Sequence, residues 1–208
     1  MFIEQPPLLY RVLFPECVWR LHNNDKTVYL TFDDGPIPEV TPWVLDLLDS
    51  YNIKATFFCV GDNVKRNPEL FQEIKQRGHS VGNHTMNHLQ GIKTTSRRYL
   101  RNVAEANELI DSPFFRPPHG LLRWEQASVL REHYTIIMYD VVSRDYNRKL
   151  TGEQVLNIVK RYTRQGSIIV FHDSLKAEKN MKYALPRAIE WLKEQGYKFE
   201  RLKKREED

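Results

Sequence analysis

Residues 27–60 read TVYLTFDDGPIPEVTPWVLDLLDSYNIKATFFCV, and this stretch decides the fold. Thr27-Val28-Tyr29-Leu30-Thr31-Phe32 is a β-branched and aromatic run, and the turn pair Gly35-Pro36 stops it. Val44, Leu45, Leu47 and Leu48 then recur at helical spacing within residues 40–51. Residues 54–60 read as a second strand, closed by Gly61. Strand, helix and strand in succession make a βαβ unit, which sets the two strands parallel with a right-handed crossover.

The alternation continues outward. The pattern predicts a helix over 68–76, with Pro68 in its first turn and Gly78 as its stop. A brief strand over 80–82, a helix over 97–109 and a short strand from Phe114 to the Pro117-Pro118 pair follow. Residues 134–141 read as one strand. Thr151 starts a helix, with Gln154 completing a capping box. A near-continuous apolar strand over 167–171, a helix over 183–194 and a last strand over 197–202 complete the series. A full eight-fold barrel needs roughly 250 residues, more than residues 25–202 supply. The fold class is therefore α/β: a distorted, incomplete (β/α) barrel of about seven strands in a single domain. Residues 1–24 form a Pro-rich N-terminal extension whose aromatics, Phe2, Tyr10, Phe14 and Trp19, can pack on the barrel. Residues 203–208 form a polar tail.

Composition bounds the function. Across 208 residues, 41% hydrophobic and 28% charged content excludes a disordered or fibrous chain. A net charge of +4 is too weak a bias to argue for nucleic acid or a membrane surface. Apolar runs such as Ile168-Ile169-Val170-Phe171 are far too short to span a bilayer. Two cysteines do not make a disulfide scaffold, and Cys59 reads as a buried reduced thiol. The first residues carry no basic segment, Glu4 and two prolines interrupt any apolar stretch, and no small-residue cleavage site follows. No signal peptide is read there, and the expected location is cytoplasmic.

Five constellations carry chemistry. Asp33-Asp34 closes the first strand, and neighbouring side chains on a strand diverge, so one carboxylate can hold a metal while the other faces a substrate. Read alone, Asp-Gly-Pro is equally good turn chemistry. His84 and His88, at i and i+4, are expected to share one face of a helical turn, with Gly82 letting the chain turn out of its strand. With Asp34 they would leave positions open for water and substrate, as at a catalytic zinc, although the same set suits non-haem iron. Arg116-Pro117-Pro118-His119-Gly120 is a stiff segment able to aim a backbone N–H, as an oxyanion hole needs, or a plain structural turn. Asp140 to Tyr146 holds two carboxylates and an aromatic after a strand, and taken alone it reads as a solvated loop before a functional one. His172 ends a buried strand. These residues follow several different strands, as expected at the C-terminal rim of a barrel. His22, His79 and His133 have no partner pattern and are assigned to structure or surface.

Together and in this order, TFDDGP, HTMNH and the looser later motifs resemble the polysaccharide deacetylase family, carbohydrate esterase family four, from residue 27 to about 201. The resemblance implies a distorted (β/α) barrel, with residues 25–202 as the catalytic domain. It implies metal-dependent removal of acetyl groups from N-acetylated sugars, with O-acetylated sugars also open. One divalent cation is implied, zinc first and cobalt, nickel or iron as alternatives. By resemblance Asp33 is the general base, and Asp34, His84 and His88 are the metal ligands. Arg116 orients the base, the backbone N–H of His119 serves the oxyanion hole beside Pro118, and Asp145 orients the general acid His172. Tyr146 and Val170 line the acetyl pocket and groove. His119, Tyr146 and Val170 stand where the family usually has Tyr, Trp and Leu, which puts the substrate in doubt rather than the reaction. The implied partner is an acetylated oligosaccharide or polysaccharide, without nucleic acid or membrane insertion. Three other readings compete: a silent carbohydrate-binding barrel, a non-haem iron oxygenase, and a deacetylase of a non-sugar amide.

Overall fold

The computed structural model describes residues 4–22 and 25–204; Phe2 and residues 205–208 of the polar tail lie outside them. At its centre is β1 (Thr27–Asp33), buried along its whole length. Around it stand β2 (Thr56–Cys59), β3 (Ser80–Asn83), β4 (Phe114–Phe115), β5 (Thr135–Ile136), β6 (Val141–Val142) and β7 (Ile168–His172). The order is β5-β4-β3-β2-β1-β7-β6, every pairing is parallel, and β8 (Lys198–Phe199) adds to the start of β1. This is the curled, incomplete barrel that the strand–helix alternation predicts.

Period two sorts β1. Val28, Leu30 and Phe32 face outward into one apolar cluster. That cluster also takes Val44, Leu45 and Leu48 of α2 (Thr41–Ser50), Val155 and Val159 of α7 (Gly152–Tyr162), and Leu185 and Ile189 of α8 (Glu178–Glu194). Losing a buried aromatic such as Phe32 to alanine costs about 3–5 kcal/mol. Tyr29 joins Phe58, Phe114, Ile137 and Ile168 in a separate inner cluster. Thr31 and Asp33, on the same face as Tyr29, are therefore directed to the inside of the barrel. Register keeps the strand ends level: Asp33 lies opposite His172 and Phe58, Cys59 opposite Asn83, and Asn83 opposite Phe115. Whatever follows these strands emerges at one rim.

The expected strand over 134–141 is instead two short pieces. Its start, β5, pairs with β4, and the segment's end, β6, pairs with β7 on the opposite edge of the sheet. One extended segment thus spans the gap between the two edges. Its middle cannot find a ladder partner on both sides, so other groups satisfy it. Val18 exchanges backbone hydrogen bonds with Ile136 and Met138, and the Arg116 guanidinium donates to the Ile137 and Met138 carbonyls at 3.3 and 3.0 Å.

Three helices escape the periodicity reading: α1 (Leu8–Leu13), α3 (Gly61–Arg66) and α6 (Trp124–Leu130). Six or seven residues are too few to show a 3.6-residue repeat. The other helices, α4 (Pro68–Gln76) and α5 (Ser96–Ile110), lie close to their expected bounds, and α8 begins at Glu178 rather than 183. Cys17 and Cys59 are buried free thiols. Among the described residues no helix is long and apolar enough to cross a membrane.

Candidate active site

Arg116 organises the floor of the rim. It follows β4 and is 1% exposed, among the largest fully buried side chains. An unpaired buried guanidinium is prohibitively costly, and all three nitrogens of this one donate hydrogen bonds. Nη1 donates to Asp33 Oδ1 at 2.7 Å and to Thr31 Oγ1 at 2.8 Å, and the guanidinium carbon lies 4.0 Å from the centre of the Phe58 ring. One oxygen of Asp33 is thus fixed by a permanent cation, and the other, Oδ2, lies 3.9 Å from His84 Nε2.

Asp34, His84 and His88 converge, with one ligand atom of each within 4.8 Å of the others. His84 is buried, and its Nδ1 lies 2.8 Å from the Arg116 carbonyl. A carbonyl only accepts, so Nδ1 carries the proton and Nε2 keeps a lone pair for a cation. Burial, together with the neighbouring His88, pushes the His84 pKa well down and keeps the ring neutral, as a ligand must be. Asp34 Oδ1 is sealed from solvent and accepts no hydrogen bond, although His88 Nε2 is 3.3 Å away. A buried acceptor left without a donor is a defect that a divalent ion removes, and two imidazoles with one carboxylate are the donors that zinc or another first-row ion takes. The residues present fit the cation.

The expected helical turn beneath the two histidines is absent. Thr85 and His88 have φ of +67° and +56°, so the chain coils through a loop that no helix could follow. Hydrogen bonds hold that loop: Asn83 Oδ1 accepts from Thr85 N at 2.8 Å, Asn102 Oδ1 from Met86 N at 3.0 Å, and Thr85 Oγ1 from Leu89 N at 2.9 Å. Gly82 does not serve a sharp turn either. It sits within β3, where a side chain would meet the Phe58 ring at 2.4 Å.

Opposite Asp33 in register stands His172. Asp145 Oδ1 lies 2.7 Å from its Nδ1, and Asp145 Oδ2 accepts from its backbone N at 2.8 Å. Burial alone would lower the imidazole pKa, but the charge and hydrogen bond of Asp145 outweigh it, and the value rises to about 9. With Nδ1 turned to Asp145, Nε2 is the nitrogen free to exchange a proton. The ring of Tyr146 meets His172 edge-on, 4.8 Å between centres, and its backbone N is fixed by Asp145 Oδ1 at 3.0 Å. Val170 lies two residues before His172, opposite Thr31, and is buried.

Pro118 is buried, and His119 stands at φ +62° with Gly120 at +66°. The His119 ring is edge-on to His88, 4.9 Å between centres, and its Nε2 lies 2.8 Å from Gln90 Nε2. The Gln90 amide nitrogen donates, so His119 Nε2 accepts. Burial, with His88 close by, holds the His119 pKa below its ordinary value. His79, assigned to structure, is buried below the strands and accepts from Ala55 N at 3.1 Å.

Two residues of the rim have no role in the sequence reading. Asp173 diverges from His172 on its strand. It accepts from Gly35 N at 3.1 Å and Thr41 Oγ1 at 2.6 Å, and burial pushes its pKa up to about 8 against the pull of the Thr41 bond. A side chain at Gly35 would strike Asp173 Oδ2 at 2.0 Å, which explains the glycine. Asn63, on α3, donates to the Asp34 carbonyl at 2.7 Å. Asp34 itself has φ +87°, so the turn that presents it is held from both sides. The acid after His172 was a readable signal, whereas Asn63 needed the unread helix.

A rim with two histidines and a carboxylate, beside a clamped aspartate and an aspartate-held histidine, defines a barrel of the carbohydrate deacetylase class. The polysaccharide deacetylase family model matches residues 20–136, more than half of the chain, and the chain belongs to that family. It is similar to a peptidoglycan-N-acetylglucosamine deacetylase of Bacillus cereus, 33% identical over 188 residues that cover 87% of this chain and 88% of the relative. Among solved structures it resembles a peptidoglycan N-acetylglucosamine deacetylase in complex with 4-naphthalen-1-yl-N-oxidanyl-benzamide, with TM-score 0.87, 29% identity and 95% of both chains covered. It also resembles a family pseudoenzyme from Bacillus anthracis, with TM-score 0.80, 29% identity, and 88% of this chain and 66% of that one covered.

Proposed function

We propose that this chain is a divalent-metal-dependent deacetylase of sugars bearing N-acetyl groups, N-acetylglucosamine units of peptidoglycan or chitooligosaccharides foremost. The observation that carries the reading is the convergence of Asp34, His84 and His88 between a clamped carboxylate and an aspartate-held histidine. Zinc is the first choice, with cobalt, nickel or iron as alternatives. When bound, the cation supplies Lewis-acid polarisation of the acetyl carbonyl and makes water a better nucleophile. Asp33 takes the proton of the attacking water, with Arg116 fixing its orientation. The His119 backbone N–H, held by the left-handed turn at His119-Gly120, donates to the developing oxyanion. His172, protonated at neutral pH through Asp145, gives its proton to the departing amine. Tyr146 and Val170 line the groove where the sugar lies.

A silent barrel is a less good reading of this chain, because base, ligands and acid are all present and mutually oriented. A non-haem iron oxygenase leaves Asp33 and His172 without work.

Acetate release from chitooligosaccharides, peptidoglycan fragments, acetylxylan and small N-acetyl amides, with and without added Zn²⁺ or Co²⁺, tests the proposal. Metal-dependent release from the N-acetylated sugars is expected, and His84→Ala is expected to lose stoichiometric metal together with activity. Release from none of these compounds by the metal-loaded protein overturns the assignment, and unchanged metal content in His84→Ala overturns the ligand set.

A further inference from the structure

Asp173 grips the chain on both sides of the carboxylate ligand. Its backbone N donates to the Asp33 carbonyl at 3.1 Å, and its Oδ1 accepts from Gly35 N at 3.1 Å. Asp34 is the single residue between those two bonds. It stands at φ +87°, a conformation that a residue with a side chain keeps only where its surroundings impose it. The second oxygen of Asp173, Oδ2, accepts from Thr41 Oγ1 at 2.6 Å, and Thr41 Oγ1 in turn accepts from Ile37 N at 2.8 Å. The first residue of α2 thus fixes the far end of the carboxylate and keeps it turned to Gly35.

The rest of the turn is held as well. The Asp34 carbonyl accepts from Asn63 Nδ2 at 2.7 Å and the Gly35 carbonyl from Val60 N at 3.0 Å. With the peptide units on either side of it bonded, Asp34 has one direction in which to project, toward His84 and His88. Asp173 is 1% exposed and Thr41 is fully buried, so neither meets a substrate. Both oxygens of Asp173 are committed to protein donors, and whatever it contributes to the site passes through the turn.

We infer that Asp173 is a positioning residue that sets the affinity of the site for its divalent cation, by holding the backbone around Asp34 in the conformation that aims its carboxylate at His84 and His88. The inference rests on the metal-dependent reading above. A ligand already held in place gives up little freedom when the cation arrives, so the hold is read out in affinity.

Zinc affinity, measured by competition with a chelator of known strength, tests this in wild type, Asp173→Ala, Asp173→Asn and Asp140→Asn. Asp140 is also a buried carboxylate, but its side chain bonds Arg11, Arg164 and Ser167, so it reports general destabilisation. Asp173→Ala should bind zinc about tenfold more weakly and change the visible spectrum of the cobalt-loaded protein. Asp173→Asn, whose Oδ1 can still accept from Gly35 N, should retain most of the affinity. Asp140→Asn should bind zinc as wild type does. Equal affinity in wild type and Asp173→Ala overturns the inference. Equal losses in Asp173→Ala and Asp140→Asn also overturn it, because affinity then follows stability alone. An asparagine variant as weak as the alanine one does so too, since the Gly35 bond is then not what matters. Should Asp173→Ala fail to fold, Thr41→Val reads the same quantity: about threefold weaker zinc is expected, as for one weakened hold, and wild-type affinity overturns the inference. A wild type that binds no zinc overturns both this inference and the ligand set, whereas acetate release decides the proposed reaction separately.

Discussion

Asp140 and Asp145 lie on the same stretch of chain after β5, both side chains fully buried. They differ in partner. Asp140 accepts from Arg11 at 2.8 Å, from Arg164 at 2.8 and 2.9 Å and from Ser167 at 2.7 Å. Asp145 accepts from the imidazole and backbone of His172. An arginine keeps its charge at every accessible pH, so Asp140 ties α1 to the loop before β7 and nothing there can switch. A histidine titrates, so the same group at Asp145 sets when a proton is available. Burial creates the strong field in both places, and the partner decides whether that field holds the fold or tunes a reaction.

Asp33 breaks this rule and gives the largest expected effect. It is clamped by an arginine, yet only through Oδ1, which leaves Oδ2 open beside His84. Asp33→Asn keeps the shape of the side chain but cannot accept the proton, so turnover should fall by ~10²–10⁴. Metal content and far-UV spectrum should match wild type. Steady-state kinetics beside metal analysis checks this, and near-normal turnover would assign the base elsewhere.

Asp145→Asn comes next, and its effect depends on pH. In the folded protein the His172 pKa is raised to about 9, against ~6.5 for a free imidazole. Stabilisation from the Asp145–His172 pair is therefore complete below about 6.5 and is lost as pH rises through about 9. The alkaline limb of the pH–rate profile should follow the same group. If the substitution returned His172 to ~6.5, its protonated fraction at pH 8 would fall by about 30-fold, and the limb would move to lower pH. Burial without a counter-charge would carry it lower still. Superimposed limbs for the two proteins would remove Asp145 from the proton path.

This pair of carboxylates also shows what was legible beforehand. The βαβ order and the short motifs follow from local sequence, because strand ends and motifs are local features. The pairing of Asp145 with His172, 27 residues apart, came from the family resemblance alone. Asp140 carried no such signal, since no motif names its partners Arg11 and Arg164, 129 and 24 residues away, which converge only when the barrel curls. The break of residues 134–141 into β5 and β6 was hidden for the same reason: the apolar run is continuous, and only closure of the sheet assigns its two ends to different neighbours. The left-handed residues Thr85 and His88 defeated the i, i+4 reading, because spacing fixes which residues meet only when the backbone is already helical. The short helix that carries Asn63 lies below the length at which periodicity speaks.

Asp140→Asn should give the smallest change in turnover and sharpen the contrast most. The amide oxygen can still accept from Arg11 Nη2 and Arg164 Nη2, as Asp140 Oδ1 does, and the Ser167 hydroxyl can rotate to accept, but the Arg164 Nε bond is lost. The Arg164 side chain is 49% exposed and can rehydrate, so the cost falls well below that of an isolated buried charge. About 2 kcal/mol is expected, which lowers Tm by about 4–8 °C for a chain of this length. The pH signature runs opposite to that of Asp145. Burial pushes the Asp140 pKa up, but Arg164, Ser167 and Arg11 together hold it below the ordinary carboxylate value. Its stabilisation is present above pH ~3.9 and is lost as pH falls through that lower folded value. The Tm gap between wild type and Asp140→Asn should therefore persist across pH 5–9 and close on strong acidification, while the alkaline limb of the rate profile stays in place. Thermal melts from pH 3 to 9 with the matching rate profile decide it. An alkaline limb that moved with Asp140→Asn would mean that the two carboxylates share the proton, and the division between them would fail.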